Sequence, residues 1–138
     1  MAAARIVIVS PALADANNGN WQTARRWQLL LRPLDARIVR QWPDAQASDA
    51  DQLMLALHAL RSADSIRAWA ERTSLRAAAP NLVVVLTGTD LYGDIGQGSA
   101  ATQSLHRAAR LVVLQARGLD ALPVELQTKA GLRGHIKQ

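Results

Sequence analysis

Residues 87–92 read Thr-Gly-Thr-Asp-Leu-Tyr, directly after the apolar run Leu82-Val83-Val84-Val85-Leu86. Small, hydroxylic and acidic residues crowded at the end of such a run suit a ligand crevice. Thr87 and Thr89 both donate and accept, Gly88 lets a ligand approach the backbone, and Asp90 either takes a ligand hydroxyl or caps its own turn. A second group follows the apolar segment Leu53-Met54-Leu55-Ala56-Leu57. Here His58 is either a hydrogen-bond partner or proton carrier for a ligand, or a structural imidazole satisfied by a backbone group. Arg61 and Ser62 stand where the next helix opens, and an Arg fork beside helix-terminal amides suits an oxyanion; the alternative for Arg61 is a plain surface role. The third group is Asn17-Asn18-Gly19-Asn20. Gly19 at the mouth of a helix allows close backbone approach by a phosphate, and the same residues also read as an Asn-Gly turn before a capped helix.

Several chemistries are disfavoured or excluded. The first loop is too long for the dinucleotide fingerprint and lacks Gly-x-Gly-x-x-Gly, which argues against nicotinamide or flavin dehydrogenases. No serine has nucleophile-elbow context. Asp90 has no obvious carboxylate partner for glycoside hydrolysis. The chain has no Cys, which removes disulfides, thiolate metal sites and Cys nucleophiles. His106 and His135 lie in contexts unlike that of His58, so no metal site is expected.

The elements that must position these groups alternate strand and helix. Strands are predicted over Arg5–Val9, Ala36–Gln41, Gln52–Leu57, Leu82–Leu86, Leu111–Leu114 and Leu132–Ile136. Helices are predicted from about Asn20, its side chain as N-cap, to Arg32; from a Ser62 or Asp64 cap to about Arg72; from about Ser99 to Ala109; and over Gly118–Lys129. In the first helix Trp21, Ala24, Trp27 or Gln28, and Leu31 recur at helical spacing, leaving Gln22, Arg25, Arg26 and Arg32 on other faces. In the second, Ile66, Trp69 and Ala70 form the apolar face. Unalternating aliphatic strands are buried on both faces, so the fold expected is α/β, a Rossmann-like, mostly parallel sheet flanked by helices in one domain over 1–138. In such a sheet the three polar groups converge on one edge, joined by Gln115 and Gly118 after the fifth strand.

With 138 residues, 49% of them hydrophobic, the chain can bury a core without staples. Its net charge of +5 comes from 16 basic residues, 14 of them Arg, scattered apart from the Arg25-Arg26 pair. A nucleic-acid surface favours a basic stripe with interleaved aromatics, so a solvated Arg-rich surface or a few anion-binding Arg side chains is the expected meaning. No apolar stretch approaches the roughly 20 residues of a membrane span. The start, Met-Ala-Ala-Ala-Arg-Ile-Val-Ile-Val, lacks signal-peptide regions, and a soluble, cytoplasmic domain is expected.

Five segments run in order over nearly the whole chain: Ile8-Val9-Ser10-Pro11-Ala12; Gly19-Asn20 with Thr23-Ala24 and Arg26-Trp27; Ala56-Leu57-His58-Ala59 with Arg61-Ser62; Leu86-Thr87-Gly88-Thr89-Asp90-Leu91-Tyr92; and Leu111-Val112-Val113-Leu114-Gln115. Together they resemble the amino-terminal half of GT-B glycosyltransferases related to family 4, and most narrowly the selenosugar synthases of selenoneine biosynthesis. The segments beginning at Leu55 and Leu86 are the most specific. The resemblance implies a two-domain transferase with an acceptor-side amino-terminal half and a carboxyl-terminal half that holds most of the nucleotide-sugar. It implies UDP-N-acetylglucosamine and selenophosphate as substrates, with no cofactor and no metal. By position, Gly19 and Asn20 would approach the donor diphosphate. Arg26, His58, Arg61 and Ser62 would face the anionic acceptor, and Thr87, Gly88, Thr89 and Asp90 would line the acceptor pocket or touch the donor sugar.

The chain stops before a second domain of that kind, which leads to the expectation of a fragment or isolated domain with little or no transferase activity of its own. Such a half would dimerise through the face its partner domain should cover. Two other readings are kept: an ordinary oxygen-acceptor GT-B transferase, and a standalone module binding a phosphate-bearing metabolite or a protein.

Overall fold

The computed structural model describes residues 5–11, 19–32, 34–75, 81–86 and 100–113. In chain order its elements are β1 (Arg5–Val9), α1 (Gly19–Leu30), β2 (Asp35–Val39), β3 (Asp51–Leu57), α2 (Ala63–Leu75), β4 (Leu82–Leu86), α3 (Ala100–Arg107) and β5 (Arg110–Val113). The five strands form one sheet in the order β2-β1-β3-β4-β5, and every neighbouring pair is parallel. The expected parallel α/β architecture is therefore present, flanked by helices and consistent with a Rossmann-like fold.

Burial explains the arrangement. Val7, Val9, Met54, Ala56, Leu82, Val84, Leu86 and Leu111 face one side, packed with Ile66 and Trp69 of α2 and Ala101 and Leu105 of α3. Ile6, Ile8, Leu55, Leu57, Val85 and Val112 face the other, against Ala24 and Trp27 of α1 and Leu31 just past it. Successive strand residues thus feed two different cores, which is why the strands show no polar alternation. The predicted face of α1 is observed: Ala24 is buried, while Gln22, Arg25, Arg26 and Arg32 are exposed.

Element boundaries differ from the sequence reading in small ways. Strand β2 ends at Val39 rather than Gln41, and α2 continues to Leu75. Asn20 lies inside the first turn of α1, since the helix already begins at Gly19, so Asn20 is not its N-cap. No helix joins β2 to β3. The loop 40–50 instead folds Trp42 and Ala47 onto the α2 side of the sheet, and the Trp42–Pro43 peptide is cis. The predicted helix Gly118–Lys129 and strand Leu132–Ile136 lie outside the described residues. Among the described residues no helix is long and apolar enough to cross a membrane.

Candidate functional site

The sheet order creates one place where consecutive connections part. From β1 the chain passes to α1 on one face; from β3, its neighbour, it passes to α2 on the other. Loops leaving such a switch point diverge and open a crevice at the carboxyl ends of the strands. Val9 pairs with Ala56 in the register of β1 and β3, so Ser10 and the Leu57-His58 step end side by side.

Both residues are held firmly. Ser10 is fully buried, and its N–H donates to the Val39 carbonyl at 2.9 Å. His58 is buried and adopts the left-handed region, with φ 75°. Its N–H donates to the Val85 carbonyl at 3.1 Å, and its carbonyl accepts from the Ser62 N–H at 3.0 Å. The left-handed backbone turns the imidazole back over this turn, where Nδ1 accepts from the Arg61 main-chain N–H at 3.1 Å. The Ser62 hydroxyl donates to the Leu57 carbonyl, and the Ser62 carbonyl accepts from Ile66 at 2.9 Å as α2 begins. Ser62 therefore occupies the N-cap position, but its one hydroxyl proton closes the strand-to-helix turn.

The predicted residues divide accordingly. His58, Arg61 and Ser62 meet in one turn at the sheet's carboxyl edge. Ser62 is buried, whereas the Arg61 side chain is exposed. Gly19 and Asn20 open α1. Arg26 is exposed about 10 Å further along that helix, given 1.5 Å of rise per residue. Thr87, Gly88, Thr89 and Asp90 lie outside the described residues. Ser10, directly after β1, is a fourth polar residue of this edge. Its signal was a hydroxyl directly after an apolar strand that pairs with the strand leading to His58.

A second polar cluster was not foreseen, and it lies elsewhere. Asp51 opens β3, about 20 Å from His58 by strand rise. Arg37 grips its carboxylate through Nη1 at 2.8 Å and Nη2 at 3.0 Å, and takes Asp44 through Nε at 3.0 Å and Nη2 at 2.7 Å. Trp42 Nε1 donates to Asp51 at 3.1 Å, as does the Ser48 N–H at 3.1 Å. Burial alone would push the Asp51 carboxyl up, but the bonds from Arg37, Trp42 and Ser48 together with the Arg37 charge hold it at about 2. The Arg37 bond likewise keeps Asp44 low against its own burial. These bonds join β2 to β3 and tie the loop 40–50 to both strands, so the cluster is framework. Sequence spacing conceals it, because only the sheet order brings residues 37, 44 and 51 together.

Among the described residues no three His, Asp or Glu side chains gather as a metal site requires. No protein-family model matches the chain, and no curated protein matches it.

Proposed function

We propose that this chain is the acceptor-side, amino-terminal domain of a GT-B sugar transferase that forms a selenosugar from selenophosphate and UDP-N-acetylglucosamine. The observation that carries this reading is the turn 58–62 at the β1/β3 switch point. There a buried imidazole in left-handed backbone stands three residues from an exposed guanidinium. Doubly wound sheets take their ligands at such switch points, and an Arg fork selects an oxyanion. Support comes also from the motif segments, which resemble this family in order: β1 ends at this edge, Gly19 opens α1 from it, and β3 and β4 end on it.

In this reading the selenium of ionised selenophosphate attacks C1 of the sugar. The Se–C bond forms as the C1–O bond breaks, and UDP leaves with that bond's electron pair. Selenium in the anion is already nucleophilic, so the domain contributes position and charge more than proton transfer. In this reading Arg61 holds the anion, and the resemblance assigns Gly19 and Asn20 to the donor diphosphate and Thr87, Gly88, Thr89 and Asp90 to the acceptor pocket or the donor sugar.

The test is a mass-spectrometric assay of the full-length protein with UDP-N-acetylglucosamine and selenophosphate, with phosphate and thiophosphate as controls. A selenosugar together with released UDP is the expected result. UDP-sugar binding without selenium transfer would move the acceptor to another chemistry, and failure both to bind UDP-sugar and to consume selenophosphate would overturn the proposal.

A further inference from the structure

We infer that the side of α1 turned to the edge strand β2 carries an anion site of its own, suited to a phosphate monoester with an apolar body. Arg25, Gln28, Leu29 and Arg32 recur at i, i+3, i+4 and i+7, so one face of the helix and of the turn just past it bears all four. With Leu34, Asp35 and Ala36 they line an open cavity of about 320 Å³. That volume belongs with small-molecule sites, which run from about 300 to 1,000 Å³. Asp35 opens β2, so the cavity lies at the amino edge of the sheet, opposite the carboxyl edge where the turn 58–62 stands.

The polar groups suit an anion. Gln28 is engaged at both ends: Nε2 donates to the Ala36 carbonyl at 3.1 Å, and Oε1 accepts from Arg25 Nη1 at 2.6 Å. It thereby fixes Arg25 beside the strand while using one of the five guanidinium N–H groups. The Arg32 guanidinium meets no acceptor among the described residues. Neither side chain is needed as a helix cap, because the carbonyls of Trp27, Leu29 and Leu31 already accept from the amides of Leu31, Arg32 and Leu34.

Asp35 is the one carboxylate of the lining, and it faces Arg5 Nε at 3.8 Å. Two guanidiniums against one carboxylate leave the cavity positive. A carboxylate ligand is filled by one Arg fork, whereas two forks can share the oxygens of a phosphate dianion. Leu29 and Leu34, 45% and 41% exposed, add apolar surface that a bare phosphate would leave wet, which favours a monoester.

The test is a titration of the chain carrying R61A, which removes the oxyanion fork of the turn 58–62. Phenyl phosphate and inorganic phosphate are added at constant ionic strength, and proton–nitrogen NMR follows the backbone amides. Phenyl phosphate should bind saturably at one site, with shifts centred on residues 25–32 and 34–36. Inorganic phosphate should bind about tenfold more weakly, and adding R25A/R32A should weaken phenyl phosphate by about tenfold or more. Both arginines are exposed, so the spectrum of that variant should keep its dispersion. Adding R67A/R110A instead, which removes the same charge from exposed positions elsewhere, should leave the affinity unchanged within about twofold. No saturable binding, equal affinity for the two probes, or an equal loss in R25A/R32A and R67A/R110A would overturn the inference. With Arg61 absent throughout, the result is independent of the transferase assay.

Discussion

Arg37 and Asp51 meet as a two-pronged pair: Nη1 to Oδ1 at 2.8 Å and Nη2 to Oδ2 at 3.0 Å, with the Asp51 side chain fully buried. The Asp51 carboxyl falls from 3.8 to about 2 on folding. A depressed acid stabilises the fold above its unfolded value and loses that contribution as pH drops through the folded one. At about 1.4 kcal/mol per unit, some 2 kcal/mol should disappear between about pH 4 and pH 2. Urea unfolding of wild type and D51N across this range checks it: the wild type should lose more stability than the variant as the pH falls. At pH 7, D51N should itself cost about 3 kcal/mol, because it breaks a buried pair while Arg37 keeps Asp44. Equal acid sensitivity of the two proteins would show that Asp51 is not the linked group.

The parallel sheet was readable because its strands are buried on both faces, and Leu82–Leu86 matches its predicted bounds to the residue. The face of α1 was readable from Trp21, Ala24 and Trp27 because helical spacing and burial report the same thing. By contrast, the partners Arg37 and Asp51 lie 14 residues apart on strands that flank β1, and no local pattern links them. The site shows the same division. His58, Arg61 and Ser62 are visible as residue types after a strand. The left-handed backbone of His58 and the commitment of the Ser62 hydroxyl are products of the turn, and composition does not encode them.

Trp42 and Trp69 pack edge to face, with centroids 5.0 Å apart, and the Arg72 guanidinium lies 4.7 Å from the Trp69 ring centre. Arg72 also donates through Nη2 to the carbonyls of Asp49 at 3.2 Å and Asp51 at 2.9 Å. Planarity lets one side chain do both, which a lysine ammonium cannot reproduce. R72K should therefore cost about 1–2 kcal/mol, near the value of a desolvated cation–π contact. W69A, which empties the core between α2 and the sheet, should cost about 3–5 kcal/mol. Chemical denaturation of both variants and of the double variant measures their coupling. Strict additivity would mean that the stack contributes nothing.

The φ of 75° at His58 sets an order of tolerance at that position. Asn enters the left-handed region more readily than most residues, and its Oδ1 can stand in for Nδ1 as acceptor of the Arg61 amide. H58N should lose about 1 kcal/mol or less. H58A removes the acceptor and leaves that amide unpaired, for about 1–3 kcal/mol, and H58V adds β-branched strain on top. In the transfer assay the order changes, since Asn that replaces Nδ1 leaves out the imidazole's second nitrogen. H58N should be nearly as stable as wild type yet at least tenfold less active. Full activity in H58N would reduce His58 to a backbone role.

Ser62 and Arg61 are neighbours with opposite duties, and paired substitutions separate them. The buried Ser62 hydroxyl holds the Leu57 carbonyl, so S62A should cost about 1–3 kcal/mol through the acceptor it abandons. The exposed Arg61 side chain carries little of the fold, and R61A should lie within about 0.5 kcal/mol of wild type. Binding should show the reverse. A charge-assisted bond to an oxyanion is worth about 1.5–3 kcal/mol, so R61A should weaken selenophosphate binding by roughly tenfold to a hundredfold. S62A, once folded, should bind nearly as wild type, because its hydroxyl proton points at the protein's own main chain. Calorimetric titration of the full-length variants, set beside their thermal midpoints, reads both axes. Were S62A to lose the anion while R61A kept it, the recognition element would be the turn itself and not the guanidinium.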